Sequence, residues 1–207
     1  MSTPLVLLIP VKRWDRAKSR LSPAAGGAID RRVLAEAFAR DATTAAIACP
    51  RVGAVYVVTD QPGFVPAGAA VLPDEGAGDL NHAITQAEVR VRETHPGAAI
   101  AAMCADLPCL RAEDLSLAID AALDSAGGRA FVADADGTGT TLLLAQPGHL
   151  LAPLFGPGSA ARHAASGAAP ITAGVPTLRR DVDTTADLAA AAALGVGPHT
   201  ATVIGPS

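Results

Sequence analysis

Short apolar segments alternate with helical patterns over the first 130 residues, and this alternation constrains the fold of the chain more than any other feature. The predicted strands are residues 5–11, 52–60, 68–74 and 98–106. The helical patterns between them cover residues 29–48 and 78–93. Such alternation predicts an α/β fold, a three-layer Rossmann-like arrangement with a mostly parallel sheet and helices on both faces.

The remainder of the chain continues the pattern with less regularity. A helix is expected from about Arg111 to the Gly127-Gly128 pair, followed by strands over 129–134 and 140–146 around the loop `ADGTG`. The predicted elements of the tail are a helix over 158–166, a strand over 177–182 and a final helix over 184–194. No internal repeat, linker or shift in composition divides the 207 residues, so the whole chain is expected to form one domain.

Composition excludes several classes of protein. The formal net charge is −4, whereas a protein that binds duplex nucleic acid is normally basic. The three cysteines have no CxxC spacing, which argues against a disulfide framework or a structural zinc site and favours a reducing compartment. The opening run `LVLLIPV` is too short to span a membrane, and its positive charges follow it, unlike those of a secretory signal. A cytoplasmic protein is expected, with no membrane partner.

A basic segment follows the first predicted strand. It contains five of the 16 lysine and arginine residues of the chain, namely Lys12, Arg13, Arg16, Lys18 and Arg20. Cations spaced in this way on a loop can surround a triphosphate, because arginine offers planar two-point contacts and lysine a point charge. A solvated loop with surface ion pairs is the alternative. The segment lacks the GxxxxGK[ST] pattern of a P-loop.

Asp106 ends the predicted central strand, in the segment `MCADLPCL`. Pro108 disfavours helical geometry at Leu107 and stiffens the turn that carries the carboxylate. In parallel sheets, ligands bind outside the carboxyl ends of the strands, where Asp60 and the basic segment are also expected. Mg²⁺ prefers carboxylate oxygens and substrate phosphates, so Asp106 is a candidate metal ligand. A loop aspartate that bonds nearby amides is the alternative.

The segment `RRDVDTTADL` contains the second carboxylate candidate. Thr184 and Asp187 fit a capping box for the last helix, which explains those two residues. Asp181 and Asp183 have no such structural explanation. Their alternation in the predicted strand puts both side chains on one face. Favourable charges beside a helix N-terminus are the alternative explanation.

Three glycine-rich segments are candidate ligand-binding loops. `DADGTGTTLLL` carries the hydroxyls of Thr138, Thr140 and Thr141, although Asp-Gly also marks an ordinary hairpin turn. `FGPGSAARHAASG` places Gly156 and Ser159 at a helix start, where free amides favour phosphate or carboxylate, and a plain serine N-cap is the alternative.

The third segment, `GAGDLNHAI`, brings Gly78 and Asn81 to the start of a helix. The Asn81 side chain could bond a base or ribose there, while turn and capping roles fit equally well. Cys104 and Cys109 are expected to be small buried hydrophobic residues. His163 receives no catalytic role, since it could face the site or the solvent.

Together these segments resemble the MobA-like nucleotidyltransferases of the nucleotide-diphospho-sugar transferase fold. Among them they are most similar to the guanylyltransferases of coenzyme F420 biosynthesis, which act on phosphoenolpyruvate or 2-phospho-L-lactate. The resemblance runs from `IPVKRWDRAKSRL` through `GDLNHAI`, `ADLPCL`, `GTGTT` and `FGPGSAARH` to `RRDVDTTADL`. Ala105 stands where glycine is common in that family.

The resemblance implies that a phosphorylated three-carbon acid attacks the α-phosphorus of GTP and expels pyrophosphate. By similarity, Mg²⁺ would be held by Asp106 and Asp181, and the acid would contact Thr140, Gly156 and Ser159. The triphosphate would lie against Lys12, Lys18 and Arg20, which with Asp106 form the expected catalytic set. The full set of expected nucleotide contacts is Pro10, Lys12, Lys18, Asp60, Gly78 and Asn81.

Two other classes of function remain open from the sequence. A related transferase could use CTP or a sugar phosphate, because base recognition rests largely on backbone groups. A catalytically silent nucleotide-binding module is the other, although binding alone would not require two metal-facing aspartates. The alanine-rich surface could also support a homodimer. The acid itself, whether phosphoenolpyruvate, 2-phospho-L-lactate or 3-phosphoglycerate, is not determined by these patterns, and the resemblance to actinobacterial sequences favours phosphoenolpyruvate.

Overall fold

A seven-stranded mixed sheet organises the molecule. The computed structural model describes residues 5–14 and 30–205, and the strand order is β3-β2-β1-β4-β6-β5-β7. The strands are β1 (Leu5–Pro10), β2 (Val52–Val58), β3 (Ala70–Leu72), β4 (Ile100–Met103), β5 (Arg129–Ala133), β6 (Thr140–Ala145) and β7 (Ala169–Pro170). Strands β1 to β4 are mutually parallel, and β6 is antiparallel to both β4 and β5. The predicted mostly parallel sheet is therefore confirmed.

Helices cover both faces of this sheet, as the alternation predicted. They are α1 (Arg31–Ala48), α2 (Leu80–Thr94), α3 (Ala112–Leu123), α4 (Ser159–Ala165), α5 (Pro176–Arg179), α6 (Thr185–Leu194) and α7 (Pro198–Ile204). The odd-numbered side chains of β1 pack with α1 and α3, whereas its even-numbered ones pack with α2 and α4. Because β1 is buried on both faces, its sequence is a continuous apolar run rather than an alternating one.

The strand predicted over 177–182 is wrong. Residues Pro176–Arg179 form the short helix α5, and β7 takes the place beside β5. Pro176 presets the first helical φ, and the Thr177 amide and hydroxyl both donate to the Asp114 carboxylate, at 2.9 and 2.7 Å. These bonds fix α5 against the start of α3. Asp181 and Asp183 therefore do not share one face of a strand, and that prediction is wrong.

The tail packs on the outer side of α1. Leu34 and Phe38 of α1 form a small core with Val182 and with Ala191 of α6. The predicted capping box between Thr184 and Asp187 is confirmed at the start of α6, but α6 is not the last helix, because α7 follows it. Among the described residues, no helix combines the length and the apolar composition that a transmembrane span requires.

Candidate functional site

A cleft opens where the strand order of the sheet reverses. The chain leaves β1 towards β2 on one side, whereas β4 lies on the other side of β1. A cavity of about 240 Å³ at this point is lined by Pro10, Val11 and Lys12 after β1 and by Cys104, Ala105 and Asp106 after β4. Ligands of doubly wound sheets bind at such a reversal, outside the carboxyl ends of the strands.

A second cavity of about 460 Å³ extends the cleft towards β2 and β3. It shares Pro10, Val11 and Lys12 with the first cavity, and Asp60 and Gly78 line its far part. The residues predicted to contact a nucleotide at the carboxyl ends of β1 and β2 thus lie together. The other cations of the predicted triphosphate site, Lys18 and Arg20, lie outside the described residues.

Polar residues after β2 hold the chain that leaves β1. The buried Thr59 hydroxyl donates to the Val11 carbonyl at 2.6 Å, and the Val11 amide donates to the Val58 carbonyl at 2.9 Å. The Gln61 side-chain oxygen accepts from the Trp14 amide at 3.0 Å. These contacts fix the backbone on either side of Lys12. The sequence predictions do not include these contacts, although the polar run `TDQ` directly after an apolar strand is a usable signal.

The segments that carry Asp106 and Asp181 meet in the structure. The Val182 amide donates to the Asp106 carbonyl at 3.1 Å. Burial, together with the negative charges of Asp106, Asp134 and Asp183, raises the pKa of the Asp181 carboxyl to about 7. Two predicted ligands, distant in sequence, are therefore close enough to repel each other. A bound cation would relieve that repulsion.

A divalent cation fits this donor set only if a substrate completes it. Within the described residues, no group of three or more histidine, cysteine or acidic side chains is arranged to hold a metal. Magnesium is usually bound through one or two carboxylates together with substrate phosphates and water. Asp183, which the sequence left unassigned, lines the first cavity beside Asp106 and is a further candidate donor.

Asp134 has a structural role at the end of β5. Its carboxylate accepts from the amides of Thr138 and Gly139, at 2.8 and 2.7 Å, and so closes the loop between β5 and β6. Its carbonyl accepts from the Arg179 guanidinium at 2.9 Å. This loop therefore has the hairpin-turn function that the Asp-Gly pair indicated, while Asp134 adds negative charge near Asp181.

Thr140 lies next to the cleft rather than openly within it. It is 5% exposed, its carbonyl lies 3.4 Å from the Cys104 sulfur, and its hydroxyl lies 2.9 Å from Nδ1 of His163. Cys104 is half-buried and lines the first cavity, whereas Cys109 is fully buried, as expected for a small hydrophobic residue. Burial raises the pKa of the Cys109 thiol to about 11.

The segment that carries Gly156 is anchored from α2. The Phe155 amide donates to the Asn81 side-chain oxygen at 2.7 Å, and the Asn81 amide nitrogen donates to the Phe155 carbonyl at 3.2 Å. Asn81 therefore uses both ends of its amide to hold this loop. Gly156 itself has φ +118°, a backbone conformation that residues with a side chain rarely adopt. Ser159, the first residue of α4, is buried.

The predicted site residues form two neighbouring groups. Pro10, Lys12, Asp60 and Gly78 line the second cavity, and Asp106 lines the first cavity, which shares Pro10 and Lys12 with the second. The second group contains Thr140, Gly156 and Ser159, and the Ala160 amide ties it together by donating to the Thr138 carbonyl at 3.1 Å. Asn81 joins the groups, because α2 begins beside the cleft and holds Phe155.

Known proteins share both the sequence and the fold. A family model described as "Guanylyl transferase CofC like" matches residues 5–167. The phosphoenolpyruvate guanylyltransferase of Streptomyces scabiei is 49% identical over 204 residues, with 94% of this chain and 93% of the relative covered. That of Salinispora arenicola is 46% identical, covering 99% of this chain and 95% of the relative.

Among solved structures, 4-diphosphocytidyl-2C-methyl-D-erythritol synthase superposes with a TM-score of 0.60 at 18% identity, covering 94% of this chain and 99% of that one. At this identity the likeness concerns the fold alone, a mostly parallel α/β sheet covered by helices. The family match and the close relatives extend over nearly all the elements that build the cleft. The chain belongs to the CofC-like guanylyltransferase family.

Proposed function

We propose that this protein transfers GMP from GTP to phosphoenolpyruvate, with release of pyrophosphate, as a step in coenzyme F420 biosynthesis. The proposal rests on the similarity to phosphoenolpyruvate guanylyltransferases, which are 46–49% identical over nearly the whole chain. The cleft at the strand-order reversal agrees with this similarity. The acid 2-phospho-L-lactate is the closest alternative acceptor, since it carries the same phosphate and carboxylate groups.

The reaction needs positioning and charge neutralisation more than proton transfer. A phosphate oxygen of the acid attacks the α-phosphorus of GTP, and the bond to the bridging oxygen breaks as pyrophosphate leaves. The second pKa of a phosphate monoester is about 6, so this nucleophile is already ionised at neutral pH and requires no general base. The difficulty is bringing two anions together, and fixed cations offset their repulsion.

The larger cavity suits the nucleoside, and the neighbouring strand ends suit its phosphates. In this arrangement GTP lies against Pro10, Asp60 and Gly78, with the triphosphate directed towards Lys12. Lys12 is exposed at the point where both cavities meet, so its charge is available to an incoming anion. Lys18 and Arg20 complete the cationic set in the proposal, on the grounds of sequence alone.

Asp106 and Asp181 are the residues proposed to hold Mg²⁺. The raised pKa of Asp181 supports this, because carboxylates that repel each other in a buried setting are stabilised as anions by a divalent cation. When bound, the ion would neutralise charge on the phosphates and on the leaving pyrophosphate. Asp106 is carried on the turn stiffened by Pro108, which keeps its carboxylate at the strand end.

Thr140, Gly156 and Ser159 are the proposed contacts of the acid. Their group adjoins Cys104 and thereby the Asp106 side of the cleft, opposite the proposed nucleoside position. This arrangement would direct the acid's phosphate towards the α-phosphorus from the side away from the base. A cytoplasmic location and a homodimeric state stay predictions from composition.

Pyrophosphate release with a matrix of substrates tests the proposal. The full chain is incubated with Mg²⁺, with each of GTP, CTP, ATP and UTP, and with phosphoenolpyruvate, 2-phospho-L-lactate or 3-phosphoglycerate. We expect turnover with GTP and phosphoenolpyruvate to exceed the other pairs, and a guanylylated acid to appear in equal amount to pyrophosphate. Turnover with CTP but not GTP would assign a different transferase, and no turnover with any pair would favour a binding module.

A further inference from the structure

His163 is completely buried in the last turn of α4, and both of its ring nitrogens are hydrogen-bonded. Its exposed fraction is 0%. The ring lies between two phenylalanines, with centroid distances of 5.8 Å to Phe131 and 5.3 Å to Phe155. This apolar packing fixes the plane of the ring, so the direction of each nitrogen is set by the fold.

The hydrogen-bond partners determine which nitrogen carries the proton. Nε2 lies 2.9 Å from the backbone nitrogen of Leu154. A backbone amide can only donate, so Nε2 must accept through its lone pair and carries no hydrogen. In a neutral imidazole the other nitrogen is then protonated, and Nδ1–H donates to the Thr140 hydroxyl oxygen at 2.9 Å.

The direction of the hydrogen bond between His163 and Thr140 decides whether the Thr140 hydroxyl can donate to a ligand. Its oxygen receives the Nδ1 hydrogen, so the hydroxyl hydrogen is left for a different acceptor. Within the part of the chain that the structure describes, His163 Nδ1 is the one recorded partner of this hydroxyl. A phosphorylated carboxylic acid at neutral pH presents almost only acceptor atoms, and therefore needs donors from the protein.

We infer that His163 is a positioning residue for the phospho-acid site, holding Thr140 so that its hydroxyl is oriented to donate to the acid. The inference rests on the proposed function for the nature of the ligand. The opposite tautomer would require Thr140 to donate to His163, which would leave only an oxygen lone pair facing an anion. His163 therefore acts through Thr140 rather than by contact with the substrate.

The same ring also fixes the glycine-bearing loop of the site. Leu154, held by Nε2, precedes Phe155, whose backbone is held by Asn81, and Gly156 follows directly. Burial, with the charges of Arg129 and Arg162, lowers the pKa of His163 to about 4. The ring thus stays neutral at physiological pH, as the hydrogen-bond assignment requires.

Nuclear magnetic resonance tests the tautomer without reference to activity. Long-range ¹H–¹⁵N correlation spectra of the uniformly ¹⁵N-labelled full chain distinguish protonated from unprotonated ring nitrogens, and the His163 signals are assigned by their loss in His163→Gln. We expect Nδ1 protonated and Nε2 unprotonated, unchanged between pH 8 and pH 6. A protonated Nε2 at neutral pH would overturn the inference.

Two replacements of His163 separate its two bonds in the kinetic test. Glutamine places an oxygen near the Nε2 position and can still accept from Leu154, but it loses the donor to Thr140. Asparagine places an amide nitrogen near Nδ1 and keeps that donor. We expect His163→Gln to raise the KM for phosphoenolpyruvate roughly 10-fold and the KM for GTP less than about 2-fold, with a smaller effect in His163→Asn. His149→Gln, at an exposed histidine, is the matched control.

A double-mutant cycle with Thr140→Val completes the test. If His163 acts through Thr140, the double variant His163→Gln with Thr140→Val has the same KM for phosphoenolpyruvate as Thr140→Val alone. Additive effects, or equal increases of both KM values, would overturn the inference. If the unmodified chain releases no pyrophosphate with any phospho-acid, the proposed function itself fails. The tautomer of His163 is measured independently by NMR, so this outcome can be distinguished from a failure of the His163 inference.

Discussion

The backbone amide of Val182 donates to the backbone carbonyl of Asp106 at 3.1 Å, and this bond joins the two segments that carry the proposed metal ligands. The contact uses main-chain atoms only. Replacing either carboxylate by an amide therefore leaves the bond in place, so the carboxylates can be tested separately from the geometry that brings them together.

Asp106→Asn is expected to reduce kcat by at least about 10²-fold, because it removes a negative charge that the proposed metal ion requires. The fold should be retained, since the side chain is nearly isosteric and the carbonyl bond to Val182 is unaffected. Pyrophosphate release and the thermal unfolding midpoint measure the two effects. Asp124→Asn, at the exposed end of α3, is the control and should be fully active. An unchanged rate in Asp106→Asn would move the metal elsewhere.

Asp181 and Asp183 are expected to respond differently to the same replacement. Asp181 is half-buried and its pKa is raised by burial and by the charge of Asp106, whereas Asp183 is exposed and lines the first cavity. Asp181→Asn should raise the Mg²⁺ concentration needed for half-maximal rate by 10-fold or more, and Asp183→Asn by less than about 3-fold. Titration of the rate with Mg²⁺ measures both. The reverse ranking would assign Asp183 as the second ligand.

The architecture of the sheet could be predicted from sequence because its cause is local. A continuous apolar run such as Leu5–Pro10 is typical of a strand in a parallel sheet that helices cover on both faces, and helical spacing in 80–94 places a helix between strands. The tail was less predictable. The sequence predicts a strand over 177–182, but Pro176 and the bonds from Thr177 to Asp114 impose a helix over Pro176–Arg179, and no sequence pattern reveals that partner.

The site was predictable where a residue type is unusual for its place, as with an aspartate that ends a buried strand. That reasoning predicts Asp106 as a site residue and predicts that Lys12 lies beside the same cleft. Hydrogen bonds between residues that are distant in sequence could not be predicted in this way. The bond between Val11 and Thr59, and that of His163 with Leu154 and Thr140, depend on tertiary geometry that composition and spacing leave undetermined.

The ligand-free protein is expected to lose stability as pH rises towards 7, and Asp181 is a cause. The folded state keeps the Asp181 proton until about pH 7, while the unfolded chain releases it near 3.8. Between these values the folded state binds more protons, so the free energy of unfolding falls with rising pH. Asp181→Asn should therefore be more stable than the unmodified chain at pH 8, by roughly 1–3 kcal/mol after allowance for solvent screening.

Urea denaturation at several pH values measures this difference. It should shrink towards zero as the pH falls below 3.8, where the folded and unfolded carboxyls both become largely protonated. Addition of Mg²⁺ and GTP at pH 8, with ionic strength held constant, should also reduce it, because a bound cation stabilises the Asp181 anion. A difference that is independent of pH would mean that Asp181 is not the titrating group.

Gly197 is expected to be required for the docking of α7 beneath the Asp106 turn. Its amide donates to the Pro108 carbonyl at 2.7 Å, and an added Cβ would lie 2.4 Å from Cγ of the buried Asp41. The Asp41 carboxylate cannot move away freely, because it accepts from the amides of His199 and Thr200 in the first turn of α7, at 3.0 and 2.8 Å.

Gly197→Ala should therefore lower the free energy of unfolding by about 1–3 kcal/mol, the usual range for forced overpacking. Gly174→Ala is the matched control, since an added Cβ there meets no atom within 4 Å and the φ angle is ordinary; we expect a change within about 0.5 kcal/mol. Because Pro108 lies two residues after Asp106, Gly197→Ala should also raise the Mg²⁺ requirement of the reaction, and Gly174→Ala should not. Equal unfolding free energies for the two variants would show that α7 tolerates a looser attachment, and would separate the tail from the metal site.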